Sequence, residues 1–346
     1  MERHSLKQII ELFGARKISD EELEKYYYSR IEKYNPTLNA VVSLRNIDQV
    51  FDDLDSLKRS SFGKKRKLLG IPLAIKDLID VEGLPTTYGV PKYKNNIAKK
   101  NSLIVERLID SGALIIGKTN TPEWGLGSQT FNRLFGATAN PYDTSKTPGG
   151  SSGGAAAAIA ADLIPVADGS DMMGSCRNPA AYCNLYGFRP TPGLIPEERS
   201  KTRHKKLPIL STLGILAKNP EDLAYSLDIV AGAHRSDPFS FNLNSSFDDS
   251  HICDNIMKKI KSALKEHFGE YSVAKTYGVK NPYYGIKGFH KGNTSFLFVD
   301  EKSDLGERLA KARVEEDLLM GELRKMSDAA GVGLYQKLMR SEENHE

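Results

Sequence analysis

Cysteine, long apolar runs and charge of one sign are all scarce in this chain, and each scarcity closes off a class of protein. Three cysteines, Cys176, Cys183 and Cys253, stand in 346 residues; an odd count in a chain long enough to bury its own core argues against a disulfide framework. Histidine, cysteine and carboxylate nowhere take the spacing of a metal site. No run of about 18 apolar residues occurs, so no membrane partner is expected. The opening MERHSLKQIIELF lacks the apolar stretch and cleavage site of a secretory leader, which points to the cytoplasm. Net charge is only +4. The basic clusters, KKRK at 64–67 and ERSKTRHKK at 198–206, read first as solvated loops, and a nucleic-acid partner is not expected.

What is present is an ordinary soluble composition, 40% hydrophobic and 27% charged, at a length that suits two domains or one large α/β domain with an appendage. Ser19 followed by Glu22 makes a capping box for a helix that Asn35-Pro36 should end. NAVVSL at 39–44 reads as a strand, and so does the buried run 71–75, which closes on Lys76 and Asp77. SLIVERLIDSGA has helical period and LIIGKTN is a buried strand; the alanine-rich run 155–161 is a helix, followed by strands in LIPVADGS and NLYGFRPT. Strand, helix and strand in repeated order predict an α/β sheet with substantial parallel content. Asn219, Pro220 and Gly232 bracket a capped helix. From about Asp237 the texture turns polar, with a helix-like stretch near 252–267, a Gly/Tyr-rich loop, and a charged amphipathic helix from Ser303 to about Met326.

TPGGSSGG at 147–154 runs directly into the alanine helix, so it is not a domain linker. No lysine follows its glycines, so it is not a phosphate loop. It satisfies the G-x-S-x-G pattern of a nucleophile elbow, but Pro141 and Pro148 crowd the approach and the histidines that follow sit in polar, loop-like or helix-surface contexts. Two other segments offer chemistry. Lys76 closes an apolar strand, where burial lowers a lysine pKa, and alternation sends Lys76 and Asp77 to opposite faces. In DGSDMMGSCRNP a strand ends in a turn of small residues that presents Ser175, with successive N–H groups able to converge on one point.

The combination of Lys76, Ser151 and Ser175 resembles the amidase signature family, in its bacterial free-standing form. The resemblance runs in order through GIPLAIKD, TNTPEWGLGSQTFNRLFGATANPYDTSKTPGGSSGG, DGSDMMGSCRNPA, GFRPTPGLIP and STLGILAKNPEDLAYSLDIVAG, over about residues 5–238. It implies an α/β fold with a mixed β-sheet core flanked by helices over 1–238, and a shortened or atypical, partly helical segment over 239–346. It also implies that Lys76 is the base, Ser151 a relay serine held by a cis peptide bond, and Ser175 the nucleophile that forms an acyl-enzyme. N–H groups of Met172, Met173, Gly174 and Ser175 would form the oxyanion hole. Gly125, Leu126, Gly127, Ser128 and Gln129 would line the substrate, with Trp124 either lining it or packed in the core. Ser152, Asp171 and Arg177 would support the turn. No cofactor or metal is implied, and the expected partner is a small-molecule amide, with a homodimer left open. Met173 departs from the family pattern, in which a second glycine is usual; a methionine there at positive φ would be strained and would narrow the acyl pocket. Two other functions compete with an amidase acting on linear amides: the glutamine-hydrolysing component of the glutamyl-tRNA amidotransferase, and a catalytically impaired scaffold.

Overall fold

Two capping boxes set the first helices. Ser5 Oγ accepts from Gln8 N while Gln8 Oε1 accepts from Ser5 N, opening α1 (Leu6–Gly14). Ser19 and Glu22 repeat the exchange at α2 (Asp20–Leu38), whose first turn carries Asp20, Glu21 and Glu22 against the helix dipole. The helix does not stop at Asn35-Pro36; it runs on to Leu38 and ends at Asn39 in the left-handed region. A proline forfeits one helical N–H bond, and here the Asn35 side chain secures the exit instead. Its Oδ1 accepts from the N–H groups of Ala40 and Val41, and its Nδ2 donates to Val41 O.

The computed structural model describes residues 4–60, 66–198, 211–242, 246–247, 284–290 and 293–299. Two compact units emerge, Met1–Lys258 and Lys259–Glu346. In the first, α2 is followed by β1 (Val41–Val42), α3 (Ile47–Ser60), β2 (Pro72–Lys76), α4 (Leu103–Asp110), β3 (Leu114–Thr119) and the short pair β4 (Phe131–Asn132) and β5 (Gly136–Ala137). Then come α5 (Gly153–Ala160), β6 (Val166–Asp171), α6 (Arg177–Tyr182), β7 (Tyr186–Phe188), β8 (Thr212–Ala217) and α7 (Pro220–Val230). Helices α1, α3 and α6 and strands β4, β5 and β8 are additions to the sequence reading.

Strand order is β1-β3-β2 in one sheet and β6-β8-β7 in another. The parallel content is smaller than the strand-helix-strand order predicts. Among the described residues β2 and β3 pair in parallel, whereas β1 with β3, β6 with β8, and β7 with β8 are antiparallel. The reason is an insertion: β6, α6 and β7 form a strand-helix-strand unit, but β8 from later in the chain enters between the two strands and runs the other way. The core is mixed α/β.

Helix α5 packs on β1, β2, β3, β6 and β8. Its alanines, Ala155 to Ala158, are wholly buried, and small side chains let the backbone lie close to the sheets. At Gly154 the approach is closest, since a Cβ there would stand 2.3 Å from Asn120 N. Above and below, Leu73, Ile75, Ile104 and Leu227 belong to one apolar cluster and Ala74, Ile116, Ile159 and Leu216 to a second. Burying each such leucine or isoleucine contributes about 1.5–3 kcal/mol.

In the second unit, β9 (Tyr284–His290) and β10 (Asn293–Val299) form an antiparallel hairpin in register from His290↔Asn293 to Tyr284↔Val299. This corrects the Gly/Tyr-rich loop, and it places His290 on a strand. Tyr284, Ile286 and Phe289 favour a strand despite the glycines. The helices anticipated near 252–267 and 303–326 lie outside the described residues, as does most of ERSKTRHKK. Of KKRK, Arg66 donates to the terminal α4 carbonyl of Asp110 at 3.0 Å, a capping role.

Glu24 is fully buried in α2, and among the described residues neither carboxyl oxygen has a hydrogen-bond partner. Burial, reinforced by Asp20, pushes its pKa to about 8. Between 4.5, its ordinary value, and about 8 the unfolded chain is ionised there and the native one is not. Stability is therefore full below that window and falls as pH rises through it, by about 1.4 kcal/mol per pH unit. Glu24→Gln should raise Tm by several degrees at pH 8 and change it little at pH 4.5, measured by thermal denaturation across pH.

Candidate active site

Lys76 ends β2, opposite Thr119 of β3, with its side chain wholly buried. On its other side β2 lies along β6, and Asp168 replaces a backbone rung there: its carboxylate accepts the Lys76 N–H at 3.1 and 3.3 Å. The amine reaches three hydroxyls, Ser151 Oγ at 2.8 Å, Ser152 Oγ at 2.7 Å and Ser170 Oγ at 3.0 Å. Burial pushes the Lys76 pKa down to about 8, and the Asp168 and Asp171 carboxylates offset part of that fall. Burial also raises Asp168 to about 6, and drives the neighbouring Cys176 thiol to about 12, so Cys176 is neutral at pH 7 and adds no charge beside the lysine. Cys176 and Cys183 are free thiols.

As alternation requires, Asp77 turns the other way. Its carboxylate accepts from Thr87 N at 3.0 Å and from the Thr87 hydroxyl, and Lys118 Nζ lies 3.9 Å off. Burial raises Asp77 and lowers Lys118, each partly offset by the other.

The peptide bond between Gly150 and Ser151 is cis. A Cβ on Gly150 would stand 2.9 Å from Gln129 N, so only glycine lets the 128–129 backbone lie against the serine segment. Thr130 fastens the two loops together, donating to Gly149 O and accepting from Gly153 N. Gly125 lies close to Ser151, since a Cβ built on it would stand 3.7 Å from Ser151 Oγ. Of the expected substrate loop, Gly125 lies near Ser151 and the 128–129 backbone near Gly150, and Leu126, Gly127, Ser128 and Gln129 are exposed. Trp124 is 48% exposed, which excludes the core alternative.

Ser175 follows β6 in the turn that leads to α6 and is half-buried. Its carbonyl accepts the N–H of Ser152 at 3.1 Å, which ties the two serine segments together. Asp171 braces the turn. Its carboxylate accepts from Gly174 N at 2.8 Å and Cys176 N at 3.1 Å, and takes a two-point Arg177 fork with both bonds at 2.9 Å. Burial alone would raise Asp171, but the Arg177 fork and these N–H bonds hold it below its ordinary value. The Gly174 N–H, expected to face an oxyanion, is engaged with Asp171. Positive φ in the turn falls on Gly174, at 115°, and not on Met173, so the strain anticipated for Met173 does not arise. Met173 lies 83% exposed.

Asp168, Ser170 and Lys118 were not singled out by sequence reasoning, and Asp77 was read only as facing away from Lys76. The signal available was the density of polar residues at the ends of apolar strands, ADGSD, AIKD and IIGKT, where buried charge needs a partner.

The family model described as Amidase matches residues 22–273. The chain belongs to the amidase signature family. The match continues past residue 238, where the legible motifs end. This amidase-family chain is 40% identical over 228 residues to an acylamidase from Rhodococcus erythropolis, covering 66% of this chain and 47% of the relative. It is 36% identical over 274 residues to a glutamyl-tRNA(Gln) amidotransferase subunit of Coxiella burnetii (strain Dugway 5J108-111), covering 78% of this chain and 55% of the relative. The crystal structure of a bacterial aryl acylamidase of the same family superposes with a TM-score of 0.66 at 32% identity, over 70% of this chain and 50% of the other. The chain spans about half the length of these relatives. Among the described residues no helix is long and apolar enough to cross a membrane.

Replacing Asp171 by asparagine removes the charge that Arg177 and the turn N–H groups share. Asp171→Asn should cost about 3 kcal/mol, read as a lowered urea midpoint with an unchanged slope.

Proposed function

We propose that this chain is an amidase that cleaves a carbon–nitrogen bond of a small linear amide through an acyl-enzyme on Ser175. The observation that carries the reading is the buried Lys76 amine, 2.8 Å from Ser151 Oγ and bonded to hydroxyls rather than to a carboxylate. An ammonium can donate to all three hydroxyls. The neutral amine has two N–H groups and a lone pair, so one hydroxyl must donate to it; the Ser152 hydroxyl is already engaged with Ser170 O at 3.4 Å, and Ser151 is taken as that donor. Neutral Lys76 accepts the Ser151 proton as Ser151 takes the proton of Ser175, and Ser175 Oγ attacks the amide carbonyl. The proton returns along the same path to the departing amine, and water then releases the acyl group. The developing oxyanion would meet the N–H groups of Met172, Met173 and Ser175, with Gly174 joining only by sharing its bond to Asp171. The serine–lysine logic parallels the histidine-based triad with a different base.

One observation favours a second reading. The match to the amidotransferase component spans 274 residues, more than the 228 of the acylamidase match. That reading predicts ammonia release from glutamine. Against it, the stretch after Ser175 lacks the run resembling SRYGLVAFASSLDQ that is expected after that component's nucleophile. The impaired-scaffold reading loses one of its supports, since Met173 carries no positive φ. The domain proposal is a catalytic core over residues 1–238.

A fluorophosphonate probe, read by intact mass and peptide mapping on the full chain, should give one adduct on Ser175 that is lost in Ser175→Ala and in Lys76→Ala. No adduct on a demonstrably folded chain would overturn the hydrolase reading. With Lys76 near 8, the rate should climb about tenfold per pH unit below pH 8 and level off above it, because only the neutral amine is a base. Lys76→Ala should lower kcat/KM by about 10²–10⁴ and abolish that rise, measured as a pH–rate profile.

A further inference from the structure

Two edge strands face each other at the end that carries Lys76. Strand β2 closes one three-stranded sheet and β6 closes the other, and among the described residues no backbone rung joins them. A buried N–H on such an edge has to find an acceptor. For Lys76 that acceptor is the Asp168 carboxylate, at 3.1 and 3.3 Å. Two residues further along β6, the Ser170 hydroxyl meets the Lys76 amine at 3.0 Å. Strand β6 therefore holds Lys76 at backbone and tip, across a seam that the sheets themselves leave open.

A neutral acceptor would close the seam at less cost, because a carboxylate gives up its hydration on burial, and Asp168 is only 3% exposed. The groups packed around it show what the charge answers. Strand β2 brings Lys76 and Asp77, β3 brings Lys118, and its own strand ends in Asp171, with the neutral Cys176 thiol just beyond. Helix α7 brings Asp222, which accepts from the N–H groups of Leu6 and Lys7. Strand β8 and helix α5 carry no charged residue. Lys118 attracts Asp168 as well, but it has Asp77 at 3.9 Å, and Asp171 is taken by the Arg177 fork. What remains is one buried cation and one buried anion, Lys76 and Asp168. They are joined through the backbone N–H of the lysine, while its amine bonds to hydroxyls.

We propose that Asp168 is a positioning residue for Lys76, closing the seam between the two sheets at the root of that side chain and favouring, by its charge, the protonated amine. Its bearing on catalysis rests on the amidase reading above. When Lys76 takes the Ser151 proton, the ammonium that forms is met by this charge, so the arrangement restores part of the basicity that burial removes.

The full chain, labelled with ¹⁵N and ¹³C in lysine, is titrated by NMR, the Lys76 signals being those absent from Lys76→Arg. In the unaltered chain the Lys76 amide should move with a midpoint of about 6, where Asp168 takes up its proton, and the Lys76 Cε signal with a midpoint of about 8. Asp168→Asn keeps an oxygen for the N–H and removes the charge; it should abolish the first movement and lower the second midpoint by about one pH unit. Asp168→Ala removes the acceptor too. It should slow fluorophosphonate labelling of Ser175 on the high-pH plateau about 10- to 100-fold, with Asp168→Asn restoring most of the rate and its rise displaced to lower pH in step with the Cε midpoint. An amide that stays still below pH 7 in the unaltered chain overturns the proposal whether or not the variants fold. An unmoved Cε midpoint in folded Asp168→Asn, or an equal loss of labelling in both variants, overturns it as well. Labelling of Ser175 with unmoved midpoints sinks the role of Asp168 and leaves the amidase reading standing. Shifted midpoints in a chain whose Ser175 takes no label support the role of Asp168 at the lysine and sink the hydrolysis.

Discussion

An amine withdrawn from water has to be met by groups that accept its hydrogens without fixing its charge, and the arrangement around Lys76 depends on that requirement. Three serine hydroxyls surround the nitrogen. Two carboxylates are near enough to raise its pKa, but each is committed elsewhere. Asp168 accepts the backbone N–H of Lys76 itself, and Asp171 is held by the Arg177 fork and the turn N–H groups. A direct ion pair would keep the lysine protonated; diverting both carboxylates leaves burial as the dominant influence, and burial favours the neutral base.

The architecture serves that cluster. Strand β2 delivers Lys76 from one direction and Asp77 to the other, so a single dipeptide joins the serine cluster to the turn that carries Thr87. Strand β6 brings Asp168, Ser170 and Asp171 alongside, and α5, made of small residues, presses Ser151 and Ser152 onto the ends of both strands. The glycines of GGSSGG are close-approach residues: side chains at Gly150 or Gly154 would collide with backbone at 2.9 or 2.3 Å. They are not hinges or phosphate ligands.

Family membership and half-length coverage describe complementary things. The chain contains the elements that build the lysine–serine cluster and its bracing, and it aligns with about half of each relative. Trp124, Leu126, Met172 and Met173, in the segments that lead to and from that cluster, are all exposed.

Much was legible in the residues alone. The Ser19–Glu22 capping box, the buried runs of β2 and β3, the alanine helix and the capped α7 follow from local pattern, because capping and side-chain periodicity act within a few residues. Lys76, closing an apolar strand, and Ser175, in a turn of small residues, were candidates from local pattern, whereas Ser151 and the roles of all three came from the family resemblance. Other features were decided by contacts between segments far apart in the chain. The survival of α2 through Pro36 depends on Asn35 reaching into the next strand. The antiparallel character of the second sheet depends on β8 entering between β6 and β7. The roles of Asp168, Ser170 and Lys118 exist only once two strand ends lie side by side. Local sequence determines which groups are available and which elements carry them; burial and neighbourhood, which set pKa, hydrogen-bond partner and exposure, are properties of the assembled fold.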